Sequence, residues 1–245
     1  MICHRNYLVR RDFVEECKLC GGSGFISWTD ESGISRAKAC ECRAKMITES
    51  RLRASGISEA FQKRTIEGFS DKGNSDLANA KDKAIEYIDS FKQIESSMNN
   101  SIMFLGNPGS GKTHLSLAIA NKLLNEHGVG CLYFSYREAI TEIKQLVADR
   151  DSKYRYEDLM HKYKNARLLI IDDLYKGSVT EADLNYVFQI INYRYLNQKP
   201  FILSSERLSG QLLDIDEAIG SRLLEQAKGR VVQISGRYSN YRIYS

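Results

Sequence analysis

The sequence predicts an α/β fold in which a parallel sheet is sandwiched between helices. A small metal-binding module is predicted at the N-terminal end of the chain, before this domain. Three features of the chain support this prediction. Segments of strand and helix character alternate between residues 101 and 234, which is typical of parallel sheets covered on both faces. A glycine-rich run at residues 106–113 joins the first of these strands to its helix. Two cysteine pairs before residue 43 flank one short segment.

Length and composition are those of a globular protein that buries a core. The 245 residues allow one large domain, or a domain of about 180 residues with an appendage. The cysteines favour the appendage, so we assign residues 1–55 to a module, 56–74 to a linker and 75–245 to the main domain. No apolar run approaches the roughly 18 residues that span a bilayer, and no apolar leader begins the chain. We therefore expect a cytoplasmic protein without a membrane partner. The net charge of +4 is too small to indicate a nucleic-acid partner by itself.

The cysteine pairs predict a zinc site. Cys17 and Cys20 are separated by two residues, and Cys40 and Cys42 by one. Residues 25–28 and 34–39 have strand character around a turn-forming segment, so a hairpin would bring the pairs together. Such a small hairpin cannot be stabilised by burial, and four thiolates on Zn²⁺ would supply folding energy.

Two alternatives to this zinc site stay open. The single residue between the second pair is fewer than in most zinc ribbons, so unmetallated thiols are one alternative. In the other, Cys3 or His4 replaces one of the four ligands.

Helical segments lead into the main domain. A charged stretch at residues 5–16 is predicted to form a short helix or arm, and residues 43–54 a basic helix. Residues 75–96 have apolar side chains at helical spacing, with Ser75 as the expected N-cap.

The run at residues 106–113 predicts a phosphate-binding loop. It follows a short apolar strand, residues 101–105, and precedes a helix at residues 114–126. Glycines allow successive N–H groups to turn inward on a phosphate, and the helix N-terminus adds further donors. In this pattern the lysine reaches the β- and γ-phosphates and the threonine hydroxyl binds Mg²⁺. The alternative, an ordinary glycine-rich turn, is disfavoured by the strand and helix on either side. The run reads Gly106, Asn107, Pro108, Gly109, Ser110, Gly111, Lys112 and Thr113.

Strands and helices alternate through the rest of the chain. We expect strands at residues 130–135, 167–171, 201–204 and 230–234, and helices at 138–147, 181–196 and 216–226. Cys131, which opens one apolar strand, is expected in the core.

Two carboxylates end the buried strand at residues 167–171. Ligands of open parallel sheets gather at the carboxyl ends of the strands, so Asp172 is expected to hold Mg²⁺ and Asp173 to polarise an attacking water. Many ATPases that carry this pair of acidic residues have Glu at the second position. Because the Asp173 side chain is one methylene shorter, we expect ATP hydrolysis to be slow. The alternative is a pair of solvated aspartates after a core strand.

A late arginine, Arg222, is a candidate arginine finger near the start of a helix. Supplied by a neighbouring subunit, its guanidinium would stabilise charge on the transferred phosphoryl group. The alternative is an ordinary surface arginine.

Together these motifs resemble those of the DnaC/DnaI-type replicative helicase loaders, which belong with IstB-like proteins among the AAA+ ATPases. The resemblance covers roughly residues 56–245, through the segments 106–115, 172–174 and 220–223. It implies an AAA+ P-loop NTPase core and adds His114 to the nucleotide-binding residues. The chain stops soon after Arg242, so the resemblance implies no full C-terminal lid; Arg237 and Arg242 are the sensor-2 candidates.

One position departs from the family pattern. The sensor-1 strand often ends in Thr-Ser-Asn, whereas this chain has Ser204, Ser205 and Glu206. A carboxylate could contact the γ-phosphate only through water or a cation.

The resemblance also implies a function. The chain would be an ATP-dependent loader of a hexameric DnaB-type helicase onto single-stranded DNA, with a slow ATPase stimulated by DNA or partner, self-association through the ATPase domain and helicase binding by residues 1–55. Basic residues among Tyr238, Tyr241 and Tyr244 could contact DNA, or the tyrosines could pack under a strand. The alternatives are an IstB-like transposition helper on duplex DNA and a nucleotide-binding adaptor with little hydrolysis.

Overall fold

The computed structural model describes residues 17–235 and 240–244. The short helix or arm predicted at residues 5–16 lies outside the described residues, together with Cys3, His4, Arg237 and Tyr238 and the side chains of Arg242 and Tyr244. The chain divides into two compact units, residues 1–50 and 51–245. In the part that is described, no helix combines the length and apolar character needed to cross a bilayer.

The first unit contains an antiparallel hairpin followed by the greater part of a helix. Strands β1 (Phe25–Thr29) and β2 (Ser35–Ala39) pair along their whole length, which confirms the predicted hairpin. The Asp30 carboxylate closes the turn by accepting the backbone N–H groups of Ser32 and Ile34, both at 3.0 Å. Helix α1 (Cys42–Ala54) buries no residue, and β2 is exposed throughout. Hydrophobic burial therefore contributes little to the stability of this hairpin.

The second unit alternates helices with strands. Before the phosphate loop lie α2 (Glu59–Gln62), α3 (Ser75–Ile94) and β3 (Ile102–Gly106). The loop is followed by α4 (Lys112–His127), β4 (Cys131–Ser135), α5 (Tyr136–Ala148), a 3₁₀ turn (Arg150–Ser152), α6 (Lys153–Asn165) and β5 (Leu168–Asp172). The remaining elements are α7 (Glu181–Leu196), β6 (Phe201–Ser205), α8 (Ser209–Ile215), α9 (Glu217–Gln226), β7 (Val231–Ile234) and α10 (Tyr241–Tyr244).

The five strands of this unit form a parallel sheet in the order β4-β5-β6-β3-β7. Successive side chains of a strand point to opposite faces, and Phe104 and Leu105 of β3 belong to two separate core clusters. One cluster packs against α3 and α4, and the other against α5, α7 and α9. The predicted sheet between helices is confirmed. The order places β3 and β5 on either side of β6, so their carboxyl ends meet at one edge.

Residues 56–74, assigned to a linker from the sequence, pack on the sheet domain instead. Ile57, Ile66 and Phe69 are buried in the cluster on the α4 side. The amide of Asn121 on α4 donates to the carbonyls of Phe61 and Arg64, at 3.0 and 2.9 Å. Apolar burial and these hydrogen bonds fix the segment to the domain, so the boundary between the units falls at residue 50.

Among the residues that the structure describes, local sequence signals missed four helices and one cap. Two of these helices, α2 and α10, have only four residues each. α6 is mostly exposed and buries only Met160 and Tyr163, so its charged sequence carries a weak helical pattern. α8 has only seven residues. The N-cap of α3 is Asn74 rather than Ser75, because the Asn74 side chain accepts the N–H groups of Asp76 and Leu77.

Candidate functional site

The phosphate loop joins β3 to α4, as predicted, and needs its glycines. Gly106, Gly109 and Gly111 have φ angles of 116°, 74° and 83°, a region that strains other residues. A Cβ atom on Gly106 would also collide with the backbone of Ile234 on β7. Gly111 is the N-cap of α4, so the loop lies at the end where helix N–H groups are unpaired. The loop and helix together offer a built anion site.

Lys112 lies on the floor of this site. Its side-chain ammonium donates to the carbonyls of Gly106 at 2.8 Å and Asn107 at 2.6 Å. Only 5% of the residue is exposed. This burial lowers the pKa of Lys112 to about 8. The loop thus holds a cation next to the N–H groups that would face a phosphate.

Asp172 is the most heavily hydrogen-bonded carboxylate of the site. The Thr113 hydroxyl donates to its Oδ1 at 2.8 Å, and the Tyr133 hydroxyl donates to its Oδ2 at 2.7 Å. The Ser204 hydroxyl also donates to Oδ1. Because β3 and β5 end at the same edge of the sheet, the structure brings together Thr113 and Asp172, the two residues expected to hold Mg²⁺. An oxygen from each, completed by waters and phosphate oxygens, suits this ion.

Asp173 begins a turn that carries a second cation into the site. The Ser204 hydroxyl accepts the backbone N–H of Asp173 at 2.9 Å. The Asp173 carboxylate accepts a hydrogen bond from the Lys176 ammonium at 2.6 Å, and the Glu206 carboxylate lies 3.4 Å from the same ammonium. The hydrogen bond with Asp173 raises the pKa of Lys176. Lys176 therefore stays charged at neutral pH, between two acidic side chains.

One pocket contains nearly all of these groups. It has a volume of about 630 Å³. Part of its lining consists of loop and strand-end residues, and another wall comes from residues 61–72, which the sequence had not placed in the site. The lining residues are Phe61, Arg64, Gly68, Phe69, Ser70, Lys72, Pro108, Gly109, Ser110, Gly111, Lys112, Thr113, His114, Leu117, Asp172, Asp173, Lys176, Glu206 and Tyr241.

His114 connects that wall to the phosphate loop. Its Nε2 lies 2.8 Å from the Thr65 carbonyl oxygen, and its ring meets Phe69 edge-on at 5.6 Å. Burial lowers the pKa of His114. The predicted nucleotide-binding residue therefore also positions the wall. Apolar residues recurring through 57–69 were the sequence signal for this packing.

The described C-terminal residues lie against the loop. The backbone N–H of Tyr241 donates to the Gly109 carbonyl at 2.9 Å. Its ring packs edge-on against Phe69 at 5.8 Å, and the Lys72 ammonium lies 5.3 Å from the ring centre. Tyr241 is therefore packed rather than presented as an exposed stacking platform, but its ring partner is Phe69 and not a strand.

Arg222 is not brought into this pocket. It lies in the middle of α9 rather than near its start, and its guanidinium packs 5.5 Å from the ring centres of Phe188 and Tyr195. It also donates to the Ala218 carbonyl at 2.6 Å. Arg222 is half-buried and does not line the pocket of its own chain.

The four predicted zinc ligands lie together in the first unit. Cys17 Sγ lies 3.7 Å from Cys40 Sγ, and Cys20 Sγ lies 3.3 Å from Cys42 Sγ. All four sulfur atoms lie within 4.8 Å of one another. A tetrahedral Zn²⁺ with Zn–S bonds of 2.3 Å separates its sulfurs by about 3.8 Å. The cluster therefore has the dimensions of a four-thiolate metal site. Cys131, in the other unit, is buried.

Comparison with known proteins gives consistent matches. The family model for IstB-like ATP binding protein matches residues 33–243. Protein YqaM of Bacillus subtilis is 36% identical over 225 residues, covering 89% of this chain and 69% of YqaM. The replicative helicase loader DnaC of Escherichia coli K12 is 26% identical over 225 residues, covering 90% of this chain and 86% of DnaC. The crystal structure of a proposed primosome component from Streptococcus pyogenes matches with a TM-score of 0.62 at 18% identity, over 78% of this chain and 97% of that one.

Proposed function

Because this chain belongs to the IstB-like ATP-binding protein family and carries a DnaC-type AAA+ domain, we propose that it loads a hexameric DnaB-type replicative helicase onto single-stranded DNA. The observation that carries the proposal is the joining of the phosphate loop, Asp172 and Asp173 in one pocket, in a chain aligned with a helicase loader over 90% of its length. It would act in the cytoplasm, where DNA is replicated.

ATP would lie in the pocket with its phosphates on the loop. The backbone N–H groups of residues 106–113 other than Pro108, together with the Lys112 ammonium, would bind the β- and γ-phosphates, and Thr113 and Asp172 would hold the metal. Bound Mg²⁺ neutralises charge on the phosphate oxygens. The base fits against the wall that contains Phe61 and Phe69. Phosphate contacts and an apolar wall together favour a nucleoside triphosphate.

Hydrolysis is expected to be slow, with Asp173 orienting the water. Its carboxylate is one methylene shorter than the usual glutamate, and it is paired with Lys176 at 2.6 Å. Arg222 would act on a neighbouring subunit, since it does not line the pocket of its own chain. Assembly on DNA or helicase would then complete the site and stimulate turnover.

The cysteine module would bind the helicase after folding around Zn²⁺. Zinc supplies tetrahedral cross-links between the hairpin and the start of α1, where burial is scarce. Exposed apolar side chains in this unit, among them Leu19, Trp28 and Ile34, offer contact area to a protein partner.

A loading assay tests the proposal. DnaB-type hexamers from the same genome are mixed with circular single-stranded DNA, ATP and this chain, and helicase retained on the DNA is measured. We expect loading with the wild-type chain and none with Lys112→Ala. A Cys20→Ser/Cys42→Ser variant should keep nucleotide binding but lose the helicase. Equal helicase loading with and without the wild-type chain contradicts the proposal.

A second candidate function is a transposition helper on duplex DNA, favoured by the IstB-like family match over residues 33–243. Filter binding separates the two functions. A loader should retain single-stranded DNA on the filter when ATP is present, whereas a transposition helper should form ATP-dependent filaments on duplex DNA.

A third possibility, an adaptor with little hydrolysis, is supported by the pairing of Asp173 with Lys176. Turnover unaffected by Lys112→Ala would exclude a role of this site in hydrolysis.

A further inference from the structure

The acidic residue at the sensor-1 position is unexpected beside a nucleotide pocket. Glu206 directly follows β6 and lines the cavity with the loop and both Asp172 and Asp173. A carboxylate facing a terminal phosphate repels it unless a cation lies between them. The structure places such a cation there, because Lys176 Nζ lies 3.4 Å from Glu206 Oε1.

A rigid turn presents Lys176 to the pocket. The residues on either side of this turn's centre, Asp173 and Tyr175, have φ angles of 56° and 60°, a left-handed conformation that costs energy for residues other than glycine. Tyr175 is buried and packs edge-on against Tyr136 at 5.7 Å. Its anchoring directs the next residue, Lys176, away from the core.

The end of β6 holds the same turn. The Leu174 N–H donates to the Ser204 carbonyl at 2.9 Å, and the Ser205 hydroxyl donates to the Leu174 carbonyl at 2.7 Å. The two serines before Glu206 thus fix the backbone that carries Lys176. The distance between Lys176 and Glu206 is set by these bonds as well as by their own ion pair.

We propose that Lys176 and Glu206 form one unit that recognises the terminal phosphate of ATP, in which the Lys176 ammonium contacts the γ-phosphate and Glu206 positions that ammonium. This rests on the proposed ATP site. Lys112 lies on the loop side of the pocket, and Lys176 on the side of Asp173 and Glu206. ADP lacks the phosphate that would reach Lys176, so this contact distinguishes ATP from ADP.

The Lys176–Glu206 unit also links ATP binding to the state of the neighbouring Asp173 carboxylate. Lys176 is shared between Asp173 at 2.6 Å and Glu206 at 3.4 Å. When the ammonium turns to the phosphate, Glu206 keeps it in place and Asp173 loses its partner. Asp173 then becomes available to orient water.

Nucleotide binding by the full-length chain tests this unit. Dissociation constants of a non-hydrolysable ATP analogue and of ADP, both with Mg²⁺, are measured by calorimetry. For Lys176→Ala we expect the analogue to bind about 10- to 100-fold more weakly, the size of one hydrogen bond to a charged group, with ADP changed less than about twofold. Lys176→Arg should restore most of the discrimination. The control is Lys162→Ala, which removes a lysine of an exposed ion pair of 2.6 Å on α6 without changing the pocket.

Glu206→Gln should also reduce the preference for ATP, measured as the ratio of the ADP dissociation constant to that of the ATP analogue. Adding Lys176→Ala to Glu206→Gln should reduce this ratio little further, because the two side chains act as one unit. Should Lys176→Ala fail to fold, Lys176→Met and Glu206→Gln measure the same ratio. An unchanged ratio in these variants overturns the inference and leaves the ATP site standing. Failure of both the wild type and Lys162→Ala to bind either nucleotide overturns the ATP site itself.

Discussion

The Tyr133 hydroxyl donates a hydrogen bond to Oδ2 of Asp172, with 2.7 Å between the oxygens. The two residues lie on adjacent strands, and Asp172 is two residues beyond Ile170, the register partner of Tyr133. Thr113 and Ser204 donate to the other carboxylate oxygen. Three donors from three different elements thus orient one carboxylate towards the phosphate loop.

Tyr133→Phe should weaken Mg²⁺ binding in the presence of ATP. Groups that hydrogen-bond a metal-binding carboxylate typically contribute roughly 10- to 100-fold to affinity, so the Mg²⁺ concentration for half-maximal turnover should rise about tenfold. A Mg²⁺ titration of ATPase activity measures this. Tyr136→Phe is the matched control, because the buried Tyr136 hydroxyl has no hydrogen-bond partner among the described residues. A similar shift in both variants would contradict the role of Tyr133.

ATP affinity should fall with rising pH above about 8. Burial lowers the pKa of Lys112 to about 8, so the nucleotide-free chain loses this proton at a lower pH than an exposed lysine does. Phosphate binds the charged form, so binding at higher pH takes up one proton and affinity falls by up to about tenfold per pH unit. Calorimetry in buffers of different ionisation enthalpy measures the proton uptake.

Two neighbouring groups are not expected to titrate in the same range. Burial lowers the pKa of His114, and the hydrogen bond with Asp173 raises the pKa of Lys176. Proton release, or no proton exchange, on binding at pH 8.5 would be inconsistent with the assignment to Lys112.

Zinc removal should unfold the hairpin and spare the nucleotide site. Metal analysis should give one zinc per chain, and a strong chelator should change the fluorescence of Trp28, the single tryptophan, which lies on β1. Cys42→Ser should lose the metal, whereas Cys131→Ala, which alters a buried cysteine of the other unit, should keep it. Metal content that is equal in both variants would exclude the cluster as the zinc site.

Arg222→Ala should slow hydrolysis about 10³-fold or more while leaving ATP affinity within about twofold, if Arg222 acts on a neighbouring subunit. Mixing two inactive variants tests whether Arg222 acts in the pocket of a neighbouring subunit. Lys112→Ala supplies an intact Arg222 and Arg222→Ala an intact pocket, so the mixture should regain turnover that neither variant has alone. A mixture no more active than its components would place Arg222 outside the catalytic site.

Much of the fold could be predicted because its signals are local. Apolar periodicity over five to sixteen residues identified the strands of the sheet and most helices of the second unit. The charged helix α6 escaped because only two of its residues are buried. The packing of residues 56–74 on the domain was not predicted either, since their burial depends on α4, which lies later in the chain.

The sequence by itself determined the groups that are close together along the chain: the loop at residues 106–113, the Asp172–Asp173 pair and the cysteine spacing. Only the tertiary structure decided the contacts among distant residues. Tyr133 reaches Asp172 across 39 positions, His114 reaches Thr65 across 49, and Lys176 meets Glu206 because β5 and β6 are neighbours. The physical reason is that strand order and register depend on how whole elements pack, which a local pattern of residues does not specify.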